Sequence, residues 1–478
     1  MKKNNLLQQF TTIGLGTVIS LALGFFNVPI ITRIVNPGEY GQFSLFQTYS
    51  MLALSILYLG MDQSLIRYFY EYNSIEYKQS LLRKILKICT ISITIASVIF
   101  LILFSFRGSL FGFSLITLIL FIAYIFIMMF NRFSTLVIRL QFHSKLYSMV
   151  NILQKVFYLG LAIPLVYIFV GFERYGLILA LIISNLLVVV LGLFKEKEIW
   201  FGNAPIIEHY KIDEKRIIRY SLPFILSLSI TSIFEANDKL FLSNFTSLSE
   251  VGVYSSATSI IALLNIVQTT FNTVWSPAAI EHYVNEPEDT DYHLKGNQMI
   301  TVVMFLAGLS LILFKDVFAF FLGSEYRAAA YTFPGLVFGP MMYTISETTV
   351  IGITVKEKSH MHILVALGAL IVGVIGNFIL VPNFGGQGAA LATGFSYIIF
   401  FSLRTHFSNK LYYVDFNLKK FYLITILAFL YAIYNTFNSF NITSLIFYFI
   451  CISVLFFSYR KVFTEIFEVI FQFVKSFK

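Results

Sequence analysis

The sequence is short of the residues that carry covalent chemistry or build a soluble surface. Only two cysteines occur among 478 residues, and both, Cys89 and Cys451, lie inside apolar stretches. A disulfide framework and a C-x-x-C metal or redox site are thereby excluded. Charged residues make up only 12% of the chain, against roughly a quarter in an ordinary soluble domain. There is no G-x-x-x-x-G-K-S/T stretch to bind ATP, no H-E-x-x-H pair, and no loop long enough to house a hydrolase site. Neither an enzyme nor a cofactor is expected.

What is present is apolar: 57% of residues are hydrophobic and the mean hydropathy is +0.78. With about 20 residues per span, apolar segments lie near 10–32, 41–61, 85–105, 111–130, 149–170 and 175–194. After a polar stretch from Lys195 to Arg219, further segments lie near 221–243, 250–273, 298–314, 328–352, 360–381, 387–407, 420–436 and 440–458. Backbone amides in lipid must be satisfied within the spanning element, and runs this continuously apolar do not alternate as barrel strands do. The expected fold is an all-α polytopic membrane protein of about 14 transmembrane helices. The first apolar run lacks a small-residue cleavage site, so it reads as a first helix rather than a removed signal.

Basic residues fall unevenly across this scheme. With the N-terminus placed in the cytoplasm, the outer side holds only Arg33, Arg107, Arg174, Lys315 and Arg327. Lys155 and Lys239 remain inside spans, and the other basic residues fall on the inner side. This bias predicts that both termini are cytoplasmic and makes the net charge of +9 a topology signal rather than a nucleic-acid footprint. The inner loop 281–297 is acidic, with Glu281, Glu286, Glu288, Asp289 and Asp291 against Lys295. It reads as a solvated loop.

One pattern occurs twice. Glu39, Gly41, Phe43 and Ser44 match Glu250, Gly252, Tyr254 and Ser255, 211 positions on. Gly176, Leu179, Ala180 and Ser184 match Gly388, Leu391, Ala392 and Ser396 at an offset of 212. Two windows in one register predict an internal repeat of six helices, the halves entering the membrane in the same direction. The expected organisation is a six-helix lobe over 1–194, a cytoplasmic linker over 195–220, a second six-helix lobe over 221–407 and two further helices over 408–458. An amphipathic tail over 459–478, with Phe463, Ile466, Phe467, Ile470, Phe471 and Val474 on one side, would lie on the inner leaflet. Such a 6+6+2 architecture suggests a secondary transporter with its path between lobes, driven by an ion gradient, the membrane potential or downhill product removal.

The stretches ITRIVNPGEYGQFS (31–44), NDKLFLSNFTSLSEVGVYSSA (237–257) and LVPNFGGQGAALATGFSY (380–397) resemble recurring segments of the polysaccharide-biosynthesis flippases. These are the Wzx type within the multidrug/oligosaccharidyl-lipid/polysaccharide exporter superfamily. The resemblance implies a bacterial inner-membrane protein that flips undecaprenyl-diphosphate-linked oligosaccharide to the outer leaflet for surface polymers such as O-antigen or capsule. The implied partners are that lipid-linked cargo and membrane lipid, with polysaccharide polymerase and chain-length proteins as further candidates, and no nucleic acid. Related branches carry multidrug export and lipid II flipping, so a cation-coupled multidrug exporter and a lipid II flippase stand as alternatives. A non-transporting scaffold is a third.

A diphosphate cargo calls for cations and hydrogen-bond donors on inward faces. Lys155, about 9 Å inside its span at 1.5 Å per residue, is expected either to contact diphosphate or to snorkel to the headgroups. Glu235 and Lys239 are four apart and expected to pair, while Asp238 projects elsewhere, toward cargo, an ion or Arg33. Arg33 suits diphosphate or an interfacial anchoring role. The substrate-binding candidates are Arg33, Lys155, Lys239 and Asp238, and the ion-coupling candidates Glu235 and Glu347. Glu347 has no partner at helical spacing, and its bland alternative is a protonated, hydrogen-bonded carboxyl. Asp62 and Arg67 read as a structural cap or latch. Pro29, Pro334 and Pro340, with nearby glycines, are expected at hinges.

Overall fold

The structure is a computed structural model and describes residues 3–202, 213–465 and 468. Among them there is helix throughout and no strand beyond one isolated bridge between Leu110 and Phe113. The chain is an all-α polytopic membrane protein. Among the described residues eight helices are long and apolar enough to cross a membrane, and up to ten if each of two bent pairs is one span. Most of the expected tail and the centre of the expected linker lie outside the described residues.

Two compact units form, one from Met1–Asn27 with Ile34–Ala236, the other from Val28–Arg33 with Asn237–Lys478. The first contains most of α1 (Lys3–Ile31), α2 (Pro37–Leu57), α3 (Met61–Tyr68), α4 (Ile75–Arg107), α5 (Leu115–Leu140), α6 (Ser144–Ile168), α7 (Glu173–Lys195) and α8 (Lys197–Phe201). Helix α9 (Glu214–Phe245) runs from the first unit into the second. There follow α10 (Leu248–Ile261), α11 (Leu264–Asn285), α12 (Asp291–Leu313), α13 (Lys315–Phe321) and a 3-10 turn (Ser324–Tyr331). The chain ends through α14 (Phe333–Leu336), α15 (Phe338–Thr349), α16 (Ile351–Val355), α17 (His360–Leu411), α18 (Leu418–Phe437) and α19 (Ile442–Ser458).

Short polar residues set the helix starts. The side chains of Asn36, Ser74, Ser114, Ser247 and Asn441 each accept an amide from the first turn of α2, α4, α5, α10 and α19. These are the amides a helix leaves unbonded at its N-terminus. Caps also explain why helices outrun their apolar runs: α4 begins at Ser74, well before the apolar stretch at 85. Outward faces are greasy. On α4, Ile91, Ile95, Val98, Ile99 and Ile102 are all exposed, an arrangement favourable in lipid and costly in water at about 25 cal/mol per Å².

The segments at 360–381 and 387–407 are two helices, the halves of α17, which meet at a kink at Gly385, whose φ of 53° and ψ of −132° are open to glycine. One expected segment differs in form. The segment at 328–352 is not continuous. It is divided among the 3-10 turn, α14, α15 and α16, with Pro334 in the first turn of α14. Proline fits a first turn, where no amide partner is lost, and ends whatever helix precedes it. Pro340 stands in the first turn of α15, and Pro29 lies inside α1.

The repeat reappears in the hydrogen bonds. Asn36 accepts the Glu39 amide at 2.9 Å, and Ser247, 211 positions on, accepts the Glu250 amide at 3.2 Å. Each glutamate then reaches the helix that opens with the second repeated window. Glu39 accepts the Arg174 amide at 3.0 Å, and Glu250 accepts the Gly386 amide at 2.8 Å. Gly176 and Gly388 let those helices pack on the backbone that precedes them. A Cβ on Gly176 would lie 2.7 Å from the Val166 nitrogen, and one on Gly388 2.4 Å from the Leu380 carbonyl oxygen.

Candidate functional site

The polar centre of the second unit is built around Asp238 on α9. Its Oδ1 accepts the Asn377 amide at 2.7 Å, and its Oδ2 accepts the Thr393 hydroxyl at 2.5 Å and the Tyr254 hydroxyl. Asp238, Tyr254 and Asn377 are buried. Asp238 does not reach Arg33, contrary to one of the options read from the sequence. Three donors from α10 and the two halves of α17 already converge on it, which is what a buried carboxylate requires. Asn377 Oδ1 is buried with no hydrogen-bond partner. The cluster therefore offers carboxylate, amide and hydroxyl oxygens within one enclosed volume, a donor set suited to a proton or a small hard cation.

The first unit lacks this centre. At the offsets of the two repeated windows, the positions of Asp238, Tyr254 and Thr393 hold Asn27, Phe43 and Leu181. There Phe43 stacks on Tyr158, with ring centroids 6.4 Å apart.

Glu347 is not isolated. Arg404 on α17 donates from Nη1 to Glu347 Oε1 at 2.7 Å and to Ser346 Oγ at 2.7 Å, while its guanidinium lies 5.4 Å from the Tyr343 ring centre. The pair is largely buried, at 7% and 15% side-chain exposure. The partner was invisible to helical spacing because it stands on another helix. The signal was Arg404 itself, a guanidinium within the apolar stretch 387–407.

The expected Glu235–Lys239 ion pair is not formed among the described residues. Glu235 stands on an exposed face of α9 and Lys239 is half-buried. Lys155 on α6 is half-buried and also has no hydrogen-bond or ion-pair partner among the described residues. Lys155 lies about 16 Å along α6 from its first residue, Ser144. Arg33 is exposed after the end of α1 and donates to the Phe321 carbonyl at 3.4 Å.

The latch at Asp62 uses a different partner from the neighbouring Arg67. Buried Asp62 on α3 accepts from Arg132 of α5 at 2.6 Å. Lys315, expected among the outer loop charges, is 1% exposed, 3.3 Å from Asp316 and 4.4 Å from the centre of the Tyr331 ring. Burial lowers its pKa, and Asp316 partly opposes that.

Residues 6–283 match the family model described as "Polysaccharide biosynthesis protein". Comparison with curated proteins finds no match. Among solved structures the chain is similar to one titled "Lipid II flippase MurJ, inward closed conformation", with a TM-score of 0.70 and 16% identity over 96% of this chain and 99% of that one. It is also similar to an inward-facing multidrug resistance MATE family transporter of the MOP superfamily, with a TM-score of 0.59 and 15% identity over 83% and 94% of the two chains. For an outward-facing MATE structure the TM-score is 0.56 and the identity 16%, over 84% and 95%. Identity this low carries the fold alone.

Proposed function

Since the chain belongs to the polysaccharide biosynthesis protein family, we propose that it is a flippase of the Wzx type. On this reading it moves undecaprenyl-diphosphate-linked oligosaccharide from the cytoplasmic to the outer leaflet of a bacterial inner membrane, by alternating access. One observation carries the choice of an anionic lipid over a cationic drug. The buried carboxylates are already compensated, Asp238 by three donors, Glu347 by Arg404 and Asp62 by Arg132. Within apolar helices, half-buried Lys155 and Lys239 have no hydrogen-bond or ion-pair partner among the described residues, and Glu235, also without one, stands on an exposed face. An unpartnered ammonium at that depth is costly, and a diphosphate offers the counter-charge. Such a cation also repels the positive drugs that a multidrug exporter must accept.

Coupling falls on Asp238 in this reading, in preference to Glu235, which is exposed, and Glu347, which Arg404 holds. The test is lipid analysis in the protein's own host. Deletion should cause undecaprenyl-diphosphate-linked oligosaccharide to accumulate on the cytoplasmic face, reversed by wild type and not by Lys155→Ala. Unchanged lipid intermediates together with increased dye sensitivity would overturn the reading in favour of an exporter.

A further inference from the structure

The loop between α11 and α12, which the sequence presents as a solvated acidic turn, is folded around imidazole. His282 Nε2 lies 2.9 Å from Asp289 Oδ2, and single ligand atoms of His282, Glu286 and Asp289 all fall within 4.8 Å of one another. Each group is held from behind. The Glu286 amide caps α11 by donating to the His282 carbonyl at 2.8 Å. Asp289 uses Oδ1 to accept the Asp291 amide at 3.1 Å, leaving Oδ2 for the cluster. The His282 ring stacks on Tyr292, with centroids 4.0 Å apart.

A second observation is independent of these three residues. His293, on the first turn of α12, is fully buried, and neither of its ring nitrogens has a hydrogen-bond partner. Its ring centroid lies 6.0 Å from that of His282. A buried imidazole left without partners is expensive. It stands beside the cluster, outside the group of ligand atoms that lie within 4.8 Å of one another.

We propose that His282, Glu286 and Asp289 form a binding site for a divalent transition-metal ion of the zinc type, which ties the end of α11 to the turn that leads into α12. Imidazole with carboxylate is the donor set such ions take, whereas magnesium and calcium prefer oxygen alone. Ligands at about 2.0–2.1 Å in tetrahedral array stand roughly 3.3 Å apart. The present 2.9 Å between His282 and Asp289 needs only a few tenths of an ångström of opening. The two carboxylates balance the ion's charge, so the occupied site is neutral where the empty one carries two negative charges. Metal occupancy thereby stiffens one helix connection of the second unit and makes it responsive to metal supply.

The test uses the full chain, purified in nanodiscs with a tag free of histidine. Trp200 and Trp275 are the two tryptophans, and Trp275 stacks on Tyr292 with centroids 5.5 Å apart. In a Trp200→Phe background Trp275 therefore reports on the site. Cobalt(II) should quench its fluorescence saturably, zinc(II) should compete, and mass spectrometry of dialysed protein should count one zinc per chain. His282→Ala and Asp289→Asn should weaken binding at least tenfold while leaving the size-exclusion profile of the wild type. Equal zinc retention by wild type and His282→Ala would overturn the proposal.

Discussion

The carboxylate of Glu250 holds the amide of Gly386 at 2.8 Å. Glu39 makes the equivalent bond to Arg174 in the other half of the chain. Both bonds join the start of one helix to the start of another more than a hundred residues away. They replace a missing intrahelical partner with a charged acceptor, a bond worth about 1.5–3 kcal/mol.

Removing that acceptor should therefore cost stability in both halves. Glu250→Ala and Glu39→Ala are each expected to destabilise by about 1–2 kcal/mol. Glu250→Gln keeps an acceptor oxygen and should lose less. Thermal melting of the purified protein, followed by fluorescence-detected size exclusion, gives the order of the three variants.

Gly388→Ala would drive a methyl group against the Leu380 carbonyl, and Gly176→Ala one against the Val166 amide. The obstacle is backbone in both cases, so no side-chain rotamer relieves it. Each variant should lose about 1–3 kcal/mol by overpacking. Alanine at Gly14, where nothing lies within 4 Å, is the control and should fold normally in the same assay.

Truncating either member of the Arg404–Glu347 pair leaves a buried charge alone, at a cost of about 3–5 kcal/mol. Arg404→Met combined with Glu347→Leu removes both charges and should cost much less than the sum of the single changes. A double-mutant cycle in melting temperature measures the coupling. Additive losses would mean that the two side chains act independently.

If Asp238 couples transport to an ion, its neutral isostere should abolish the response to that ion. Wild type in detergent is expected to gain thermal stability with added sodium or lithium at fixed ionic strength, or else with acid if the ion is a proton. Asp238→Asn should respond to neither. It should also lose about 1–3 kcal/mol, because an amide presents one acceptor oxygen to three converging donors.

Much of this was legible in the sequence. Composition and apolar runs read as helices because lipid leaves the backbone no other course, and the shared register of Glu39 with Glu250 exposed the repeat. Partnerships between helices were not legible. Arg404 stands 57 positions from Glu347, and no periodicity relates them. Asn377 and Thr393 are uncharged, so a search for charges inside spans passed them over, although an amide within an apolar run is itself a signal. The broken region around Pro334 and Pro340 read as one span because hydropathy does not register backbone geometry.

The two halves agree in their caps and disagree in their centres. Where Asp238, Tyr254, Asn377 and Thr393 gather in one, Asn27, Phe43 and Leu181 hold the positions matching Asp238, Tyr254 and Thr393 in the other. The molecule thus contains its own reference specimen: a half with the same helix starts and glycine contacts but without the acid at its heart. Transplanting the four polar residues into the first half would ask whether a helical frame of this kind is enough to make an ion site, or whether the surrounding helices had to be shaped along with it.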